Sequence, residues 1–557
     1  MPGRLATYWH TLRYLKPVQL YGRVWFRLYR PRPDMRPDPP LRAPVGRDWV
    51  LPPRRNASLV GPNSFCFLNE INDLSDHGWD DPRLAKLWRY NLHYFDDLNA
   101  EDASSRAEMH RRLLLRWVYE NPPGVGTGWE PYPTSLRIVN WVKWSLSGNP
   151  LPKECVHSLA IQARWLSRRM EFHLLGNHLF ANAKALAFAG LFFDGAEANC
   201  WLEKGMRILE SQVPEQILSD GGHFERSPMY HALALEDMQD LYNVTSTFSD
   251  AVPLRWQLLS AAWWDSIAEM RDWLAAMCHP DGEISYFNDA AIGVAPTPNE
   301  LEHYAAKLGF PKRPSKTKPL TALSASGYIR IERNNAVAIL DVAPIGPDYL
   351  PGHAHADTLS FELSLFGQRV FVNSGTSCYG EGAERLRQRG TAAHNTVTVD
   401  GQNSSEVWAG FRVARRARPH GLAIKHNGEI SVRCAHDGYR RLPGKPGHLR
   451  RWVFSQSTLV IEDRIYGVFQ HAEARFHLHP STKIDSDATI TGARNGLVLR
   501  LPEGQRVRFW VEGGVLKQEA SVWHPGFGAT EPSVCLSVSF EYPSRVVRTR
   551  IQWDIGI

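Results

Sequence analysis

Tyr328-Ile329-Arg330-Ile331-Glu332-Arg333-Asn334-Asn335-Ala336-Val337-Ala338-Ile339-Leu340-Asp341 takes a period of two and pivots on two asparagines. Side chains on a strand alternate between faces, so the stretch reads as a β-hairpin with a two-residue turn. It follows Pro311-Lys312-Arg313-Pro314-Ser315-Lys316-Thr317-Lys318-Pro319, which is a linker by composition. Trp452-Val453-Phe454 and Leu459-Val460-Ile461-Glu462-Asp463 form a similar pair. Residues 316–557 therefore read as mostly antiparallel β, enough chain for a large sandwich.

Upstream the period changes. From about Asp80 to Gly309 apolar residues recur at three and four, with short connectors. Ser158 to Met170 is one such run. After Leu175-Gly176, a second carries Leu179, Phe180, Ala183, Leu186, Ala187 and Leu191. Ser227-Pro228 supplies an N-cap and a first helical proline for a third, through Leu233, Leu235, Met238 and Leu241. Repeated helix pairs suit a bundle, a solenoid or a closed (α/α) toroid, and periodicity alone does not choose among them. The expected division is a short N-terminal helical segment over 1–75, helices over 76–315 and β structure over 316–557: an α+β multidomain chain.

The first thirty residues set Trp9, Leu12, Leu15, Leu20, Val24, Trp25 and Leu28 among arginines, with no acid before Asp34. An amphipathic helix lying on a membrane is one reading. Docking of short helices onto the main body is the other, favoured by the break at Lys16-Pro17. The segment lacks the apolar core of a secretory signal, and no run of 18 apolar residues occurs, so no transmembrane segment is expected. Seven dispersed cysteines form no CxxC pair and suit a reducing, cytoplasmic setting. A net charge of +6 over 557 residues suits an acidic ligand, while nucleic-acid binders concentrate charge more strongly. Twenty tryptophans fit core packing or stacking on sugar faces.

The sharpest local feature is Pro351-Gly352-His353-Ala354-His355-Ala356-Asp357-Thr358-Leu359-Ser360-Phe361-Glu362-Leu363-Ser364-Leu365. From Leu359 its alternation marks a half-buried strand. Extended backwards, that strand turns His353, His355 and Asp357 towards the core, where ionisable groups need partners. A metal, a catalytic cleft or mutual hydrogen bonding would each supply them. His394 enters another alternating stretch, and two histidines with a nearby carboxylate suit zinc or manganese. In the helical half, Asn177 within His173-Leu174-Leu175-Gly176-Asn177-His178 reads as an N-cap. Tyr230 sits in the first turn of its helix, so the two can converge on one rim of a toroid.

Together Gly176-Asn177-His178, Phe224 to His231, Gly352 to Asp357, Asn373-Ser374-Gly375-Thr376 and Ala393-His394-Asn395 resemble the heparinase II/III-like polysaccharide lyases, from about Trp79 onward. The resemblance implies an (α/α) toroid followed by an antiparallel β-sandwich. It also implies β-elimination on uronate-containing acidic polysaccharides, either glycosaminoglycan-like chains or a bacterial exopolysaccharide. By resemblance Asn177 neutralises the uronate carboxylate, Tyr230 is base or acid, and His353 completes the pair. His355, Asn373 and His394 correspond to ligands of a divalent metal, Mn, Zn or Ca. Asn373 stands where some relatives carry Asp, so that position brings no charge.

Proposed substrate contacts are His178, Arg226, Trp129, Tyr132, Arg137 and Arg389, with Trp88, Tyr90, Arg385 and Arg387 as further candidates. The partner is an acidic polysaccharide, no nucleic acid is expected, and a homo-oligomer is left open. One rival is a non-catalytic glycan-binding or assembly factor for exopolysaccharide. Another is a glycoside hydrolase, which needs paired carboxylates such as Glu225, Glu236 or Asp237.

Overall fold

In the helical half, five helices pack against one another in turn: Lys86–Tyr94, Pro131–Leu146, Gly176–Phe192, Pro228–Thr247 and Pro298–Lys307. Ala107–Glu120, Lys153–Arg168, Ala196–Gln216 and Leu254–Ala276 alternate with them in sequence and pack outside. Every second helix touching the next gives an inner and an outer layer of helices, the arrangement of an (α/α) toroid. The computed structural model describes residues 2–313, 318–485, 495–541 and 543–554. Residues 314–317 of the linker, and with them the boundary expected at 315/316, lie outside the described residues.

Gly176–Phe192 is buried along nearly its whole length, so it carries no polar stripe. Ser227 caps its helix, its Oγ accepting the Tyr230 N–H at 3.1 Å, with Pro228 in the first turn. Asn177 is not a cap. The Gly176–Phe192 helix begins one residue earlier, with Leu175 before it at φ 64°, so Asn177 lies within the first turn. The first 75 residues are only partly helical. Pro2–Leu12 and Pro17–Leu28 are helices, an extended stretch then crosses the helical half through Arg42 to Phe192 and Asn243 to Val50, and Ser64–Phe67 pairs with Glu70–Asp73.

The β half contains a five-stranded meander, Leu320–Leu323, Tyr328–Arg333, Ala336–Asp341, Phe361–Leu365 and Gln368–Phe371. The predicted hairpin is present, with Asn334 and Asn335 both in the left-handed region at φ 44° and 62°. An eight-stranded sheet includes the pair Gly447–Phe454 and Thr458–Tyr466, and a four-stranded sheet is built on Gly514–Trp523 and Glu531–Phe540. All pairings are antiparallel among the described strands. Leu363, Phe371, Trp452, Ile461, Phe509 and Trp553 belong to the core between the sheets.

Phe361–Leu365 is buried on both faces, not on one. Ile339 and Tyr328 of the same sheet pack on Trp273, Met277 and Phe287 from the helical side. Glu362 and Ser364 likewise face that side, accepting or exchanging hydrogen bonds with both ring nitrogens of His279 at 2.9 and 2.7 Å. The polar half of the alternation therefore meets the toroid instead of water. Nor does the strand reach back through the histidines. Leu359, at φ 66°, interrupts it, and residues 351–360 are loop.

Candidate active site

The first turns of three inner helices carry Tyr132, Asn177 with His178, and Tyr230, so one rim of the toroid gathers them. Across that rim comes the loop before Phe361. His353 stacks on Tyr230 with ring centroids 3.8 Å apart and planes at 15°. Its Nδ1 bonds the carboxylate of Glu225, a buried group from the turn before the Tyr230 helix. Burial raises the Glu225 pKa, but His353 outweighs this and holds the carboxyl below the ordinary glutamate value. An ionised Glu225 only accepts, so Nδ1–H of His353 donates, and in the neutral ring the Nε2 lone pair is left for chemistry.

The Tyr230 hydroxyl shares a 2.9 Å hydrogen bond with that of Tyr379. Burial first pushes both phenols well above the usual tyrosine value, followed by the neighbouring phenol for Tyr230 and by the Asp289 carboxylate for Tyr379. Tyr230 is thus a neutral proton donor at neutral pH. Arg385 lies 4.9 Å from the Tyr379 ring, and Phe411 packs edge-on against both Tyr379 and His353.

Asn177 is brought alongside by Gly176. A Cβ on Gly176 would lie 2.3 Å from Leu350 and 3.3 Å from the Glu225 carboxylate, so the segment runs against the Glu225–His353 pair. The half-buried Asn177 amide has no hydrogen-bond partner among the described residues. His178 lies tilted against Tyr132 with ring centroids 4.5 Å apart, and its Nδ1 is 3.1 Å from Glu171. Burial works against the charged ring, but the Glu171 and Glu225 carboxylates prevail and raise its pKa.

Several proposed contacts lie elsewhere. Trp129 and Arg137 are in the helical core, where Arg137 rests 3.8 Å over Trp117 and donates to Gln162, and Trp129 donates to the Asn121 carbonyl. Trp88 is equally buried, and Tyr90 donates to Glu130. Arg389 is fully buried and donates to the Ala354 and Ala409 carbonyls, shaping the loop that presents His353. Arg226 turns towards the β half and donates to the Ser326 carbonyl at 2.9 Å. Arg385 is bound by Asp289, and Arg387 by Glu384. Arg137, Arg385 and Arg389 are held inside the protein because buried guanidinium groups demand partners, whereas Arg387 is exposed. Conversely, Glu225, Tyr379 and Glu171 take part without having been singled out for these roles. The signal available for Glu225 was its place in the same short motif as Tyr230.

His353, His355 and Asp357 do not share a face. His355 Nε2–H donates to Asp289 at 2.8 Å, and Asp357 accepts from the Asn288 N–H. Asp289 is held ionised by Arg385 and His355 despite burial. The remaining His355 lone pair, on Nδ1, accepts from His394 Nε2–H at 3.3 Å. Burial holds His355 at about 4 and His394 well below the ordinary value, so both rings are neutral.

Of the three residues expected to hold a divalent metal, His355 and His394 are brought together, while Asn373 turns to the backbone. His355 Nδ1 and His394 Nε2 face each other at 3.3 Å. His394 Nδ1 has no partner to orient it as a ligand, and Asn373 spends its Oδ1 on the Asn395 N–H. No three of His, Cys, Asp and Glu converge among the described residues, and the carboxylate nearest the pair is already neutralised by Arg385. Elemental analysis of the purified protein should therefore find less than stoichiometric metal, and chelator should leave its thermal midpoint unchanged. A chelator-sensitive midpoint with one bound equivalent would refute this.

Gly375 explains its motif by space. It lies at φ 74°, and a Cβ there would sit 2.1 Å from the His524 carbonyl oxygen. Gly375→Ala should lower stability by about 2 kcal/mol or more, read as a fall in the denaturation midpoint.

Two family models match the chain: the heparinase II/III N-terminus over residues 149–315 and the heparinase II/III-like C-terminal domain over 315–554. A heparin-sulfate lyase of Bacteroides stercoris is 28% identical over 64% of this chain and 52% of its own length. FtsZ-localized protein C of Caulobacter vibrioides is 25% identical over 66% of this chain and 62% of its own. The chain thus spans between half and two thirds of the length of these relatives. A crystal structure of heparinase III superposes with a TM-score of 0.66 at 18% identity, covering 85% of this chain and 77% of that one, a likeness of fold. With both halves matched in order over most of its length, the chain belongs to the heparinase II/III-like family.

Proposed function

We propose that this protein is a polysaccharide lyase that cleaves a uronate-containing acidic glycan by β-elimination. The observation that carries the reading is the Tyr230–His353 stack, held by Glu225 beside the unpaired amide of Asn177. The C5 proton of a uronate is weakly acidic because a carboxylate adjoins it. Asn177 and, below its raised pKa, the protonated His178 ring offset that charge, so the carbanion-like transition state becomes accessible. The inner-helix N-termini add to the attraction for an anion. His353 Nε2 takes the C5 proton, and its electrons form the C4–C5 double bond. The C4–oxygen bond breaks, and Tyr230 gives its proton to the leaving oxygen. Proton exchange between imidazolium and phenolate then restores both groups.

A glycoside hydrolase fits less well. Glu225 is committed to His353, Glu236 to Arg55 and Lys143, and Asp237 to Lys184 at 2.7 Å. The second reading, a glycan-binding assembly factor, draws on the likeness to FtsZ-localized protein C and on Asn373. A panel of hyaluronan, chondroitin, heparan sulfate, heparin, alginate and bacterial exopolysaccharides separates the two. The lyase produces ultraviolet-absorbing unsaturated uronate ends on at least one, whereas the assembly factor binds and produces none.

The raised pKa of His178 gives the reaction a pH sign. Below it the ring is cationic and attracts the uronate carboxylate. As pH rises through it the charge is lost, so KM should climb in the alkaline limb. His178→Gln should flatten that limb. An unchanged KM profile in this variant would remove His178 from substrate binding.

A further inference from the structure

The two N-terminal helices are docked the wrong way round for a water-facing surface. Pro2–Leu12 and Pro17–Leu28 meet the body through a mixed polar face. Thr11 Oγ1 accepts the Trp408 indole N–H at 3.0 Å, and Gln19 donates to the Tyr349 carbonyl at 3.1 Å. Lys16 pairs with Glu215, and Phe26 lies between His173 and Arg169. The opposite faces carry the larger apolar side chains. Leu5, Trp9, Tyr21, Trp25 and Leu28 are 76%, 65%, 65%, 62% and 77% exposed. Leu5, Trp9 and Leu12 recur at helical spacing on the first helix, as do Tyr21, Val24, Trp25 and Leu28 on the second. An amphipathic helix normally turns such a stripe inward. Here both stripes face out, leaving exposed apolar surface on each helix.

Charge narrows what can cover it. Arg13, Arg27, Arg30 and Arg32 are exposed around the stripes, and no Asp or Glu occurs before Asp34. A second copy of the chain using the same face would set arginine against arginine. Tryptophan and tyrosine with leucine on one side and arginine on the other is the composition of a helix in the headgroup layer of a membrane. No helix among the described residues is long and apolar enough to cross one.

We propose that the outward faces of the Pro2–Leu12 and Pro17–Leu28 helices bind the surface of an anionic phospholipid bilayer. The helices bridge the two halves beside the candidate active site. Tyr349, which takes Lys16 and Gln19, precedes the Leu350 that abuts Gly176. Trp408, which takes Thr11 and Tyr8, is three residues from the Phe411 that packs on His353. Bilayer attachment therefore brings the cleft to glycan lying at a membrane surface.

Co-sedimentation of the full chain with vesicles of phosphatidylcholine, with and without phosphatidylglycerol, tests this. The expected result is binding to the anionic vesicles that weakens at high salt, with at least about tenfold weaker binding to neutral ones. Trp9→Ser/Trp25→Ser/Leu28→Ser should reduce anionic binding at least about tenfold, with an unchanged thermal midpoint because the three side chains are exposed. Should that variant fail to fold, Arg27→Glu/Arg30→Glu must still abolish the anionic preference. Three results overturn the proposal: no binding to either vesicle, equal binding to both, or a dimer in solution that the triple substitution dissolves.

Discussion

Tyr230→Phe lowers turnover by about 10²-fold or more on any glycan the wild type cleaves, as expected when a positioned acid–base group is lost. The substitution keeps the ring that stacks on His353 and removes only the hydroxyl that meets Tyr379 at 2.9 Å. Losing that hydrogen bond costs about 1 kcal/mol, so the fold survives and the deficit belongs to chemistry. The effect should fall on kcat more than on KM, because the proton is delivered only as the C4–oxygen bond breaks. Turnover within a few-fold of wild type would assign the proton transfer to another group.

The largest expected effect on stability comes from Asp289→Ala. Asp289 is fully buried and binds Arg385 through both oxygens and His355 through one. Removing it strands a fully buried guanidinium, which costs about 3–5 kcal/mol. The measurement is the denaturation midpoint with its slope. Asp289→Leu combined with Arg385→Met should recover much of the loss, since the penalty is an unpaired charge and not missing volume. If Asp289→Ala unfolds at the wild-type midpoint, the Arg385 pair is not the strut that this geometry makes it.

The hairpin through Asn334-Asn335 was legible because its turn is local: only residues tolerant of positive φ serve there. The N-cap at Ser227 was legible for the same kind of reason. The toroid was not, because a helix such as Gly176–Phe192, enclosed on all sides, loses the stripe that reports which neighbours it has. Glu362 and Ser364 misled because alternation marks two faces without saying what covers the polar one, which here is His279.

The site divides in the same way. Tyr230 and His353 come from distant stretches, and nothing in the spacing of either fixes a 3.8 Å stack. Trp129 and Arg137 were expected to contact sugar. Inside the toroid the same chemistry is satisfied within the protein, with Arg137 over Trp117. The histidine pair suggested a metal because two imidazoles near a carboxylate suit one. Which nitrogens carry protons is decided by Asp289 and Arg385, far away in sequence.

The central claim is that the glycosidic bond breaks by elimination between Tyr230 and His353. The most direct measurement is mass analysis of fragments cut from a uronate glycan in water enriched with heavy oxygen. Elimination consumes no water, so the account predicts fragments whose masses sum to the parent, a double bond in the new non-reducing end and no heavy oxygen in either. Fragments heavier by one water, with heavy oxygen at the new reducing end, would mean hydrolysis and contradict it.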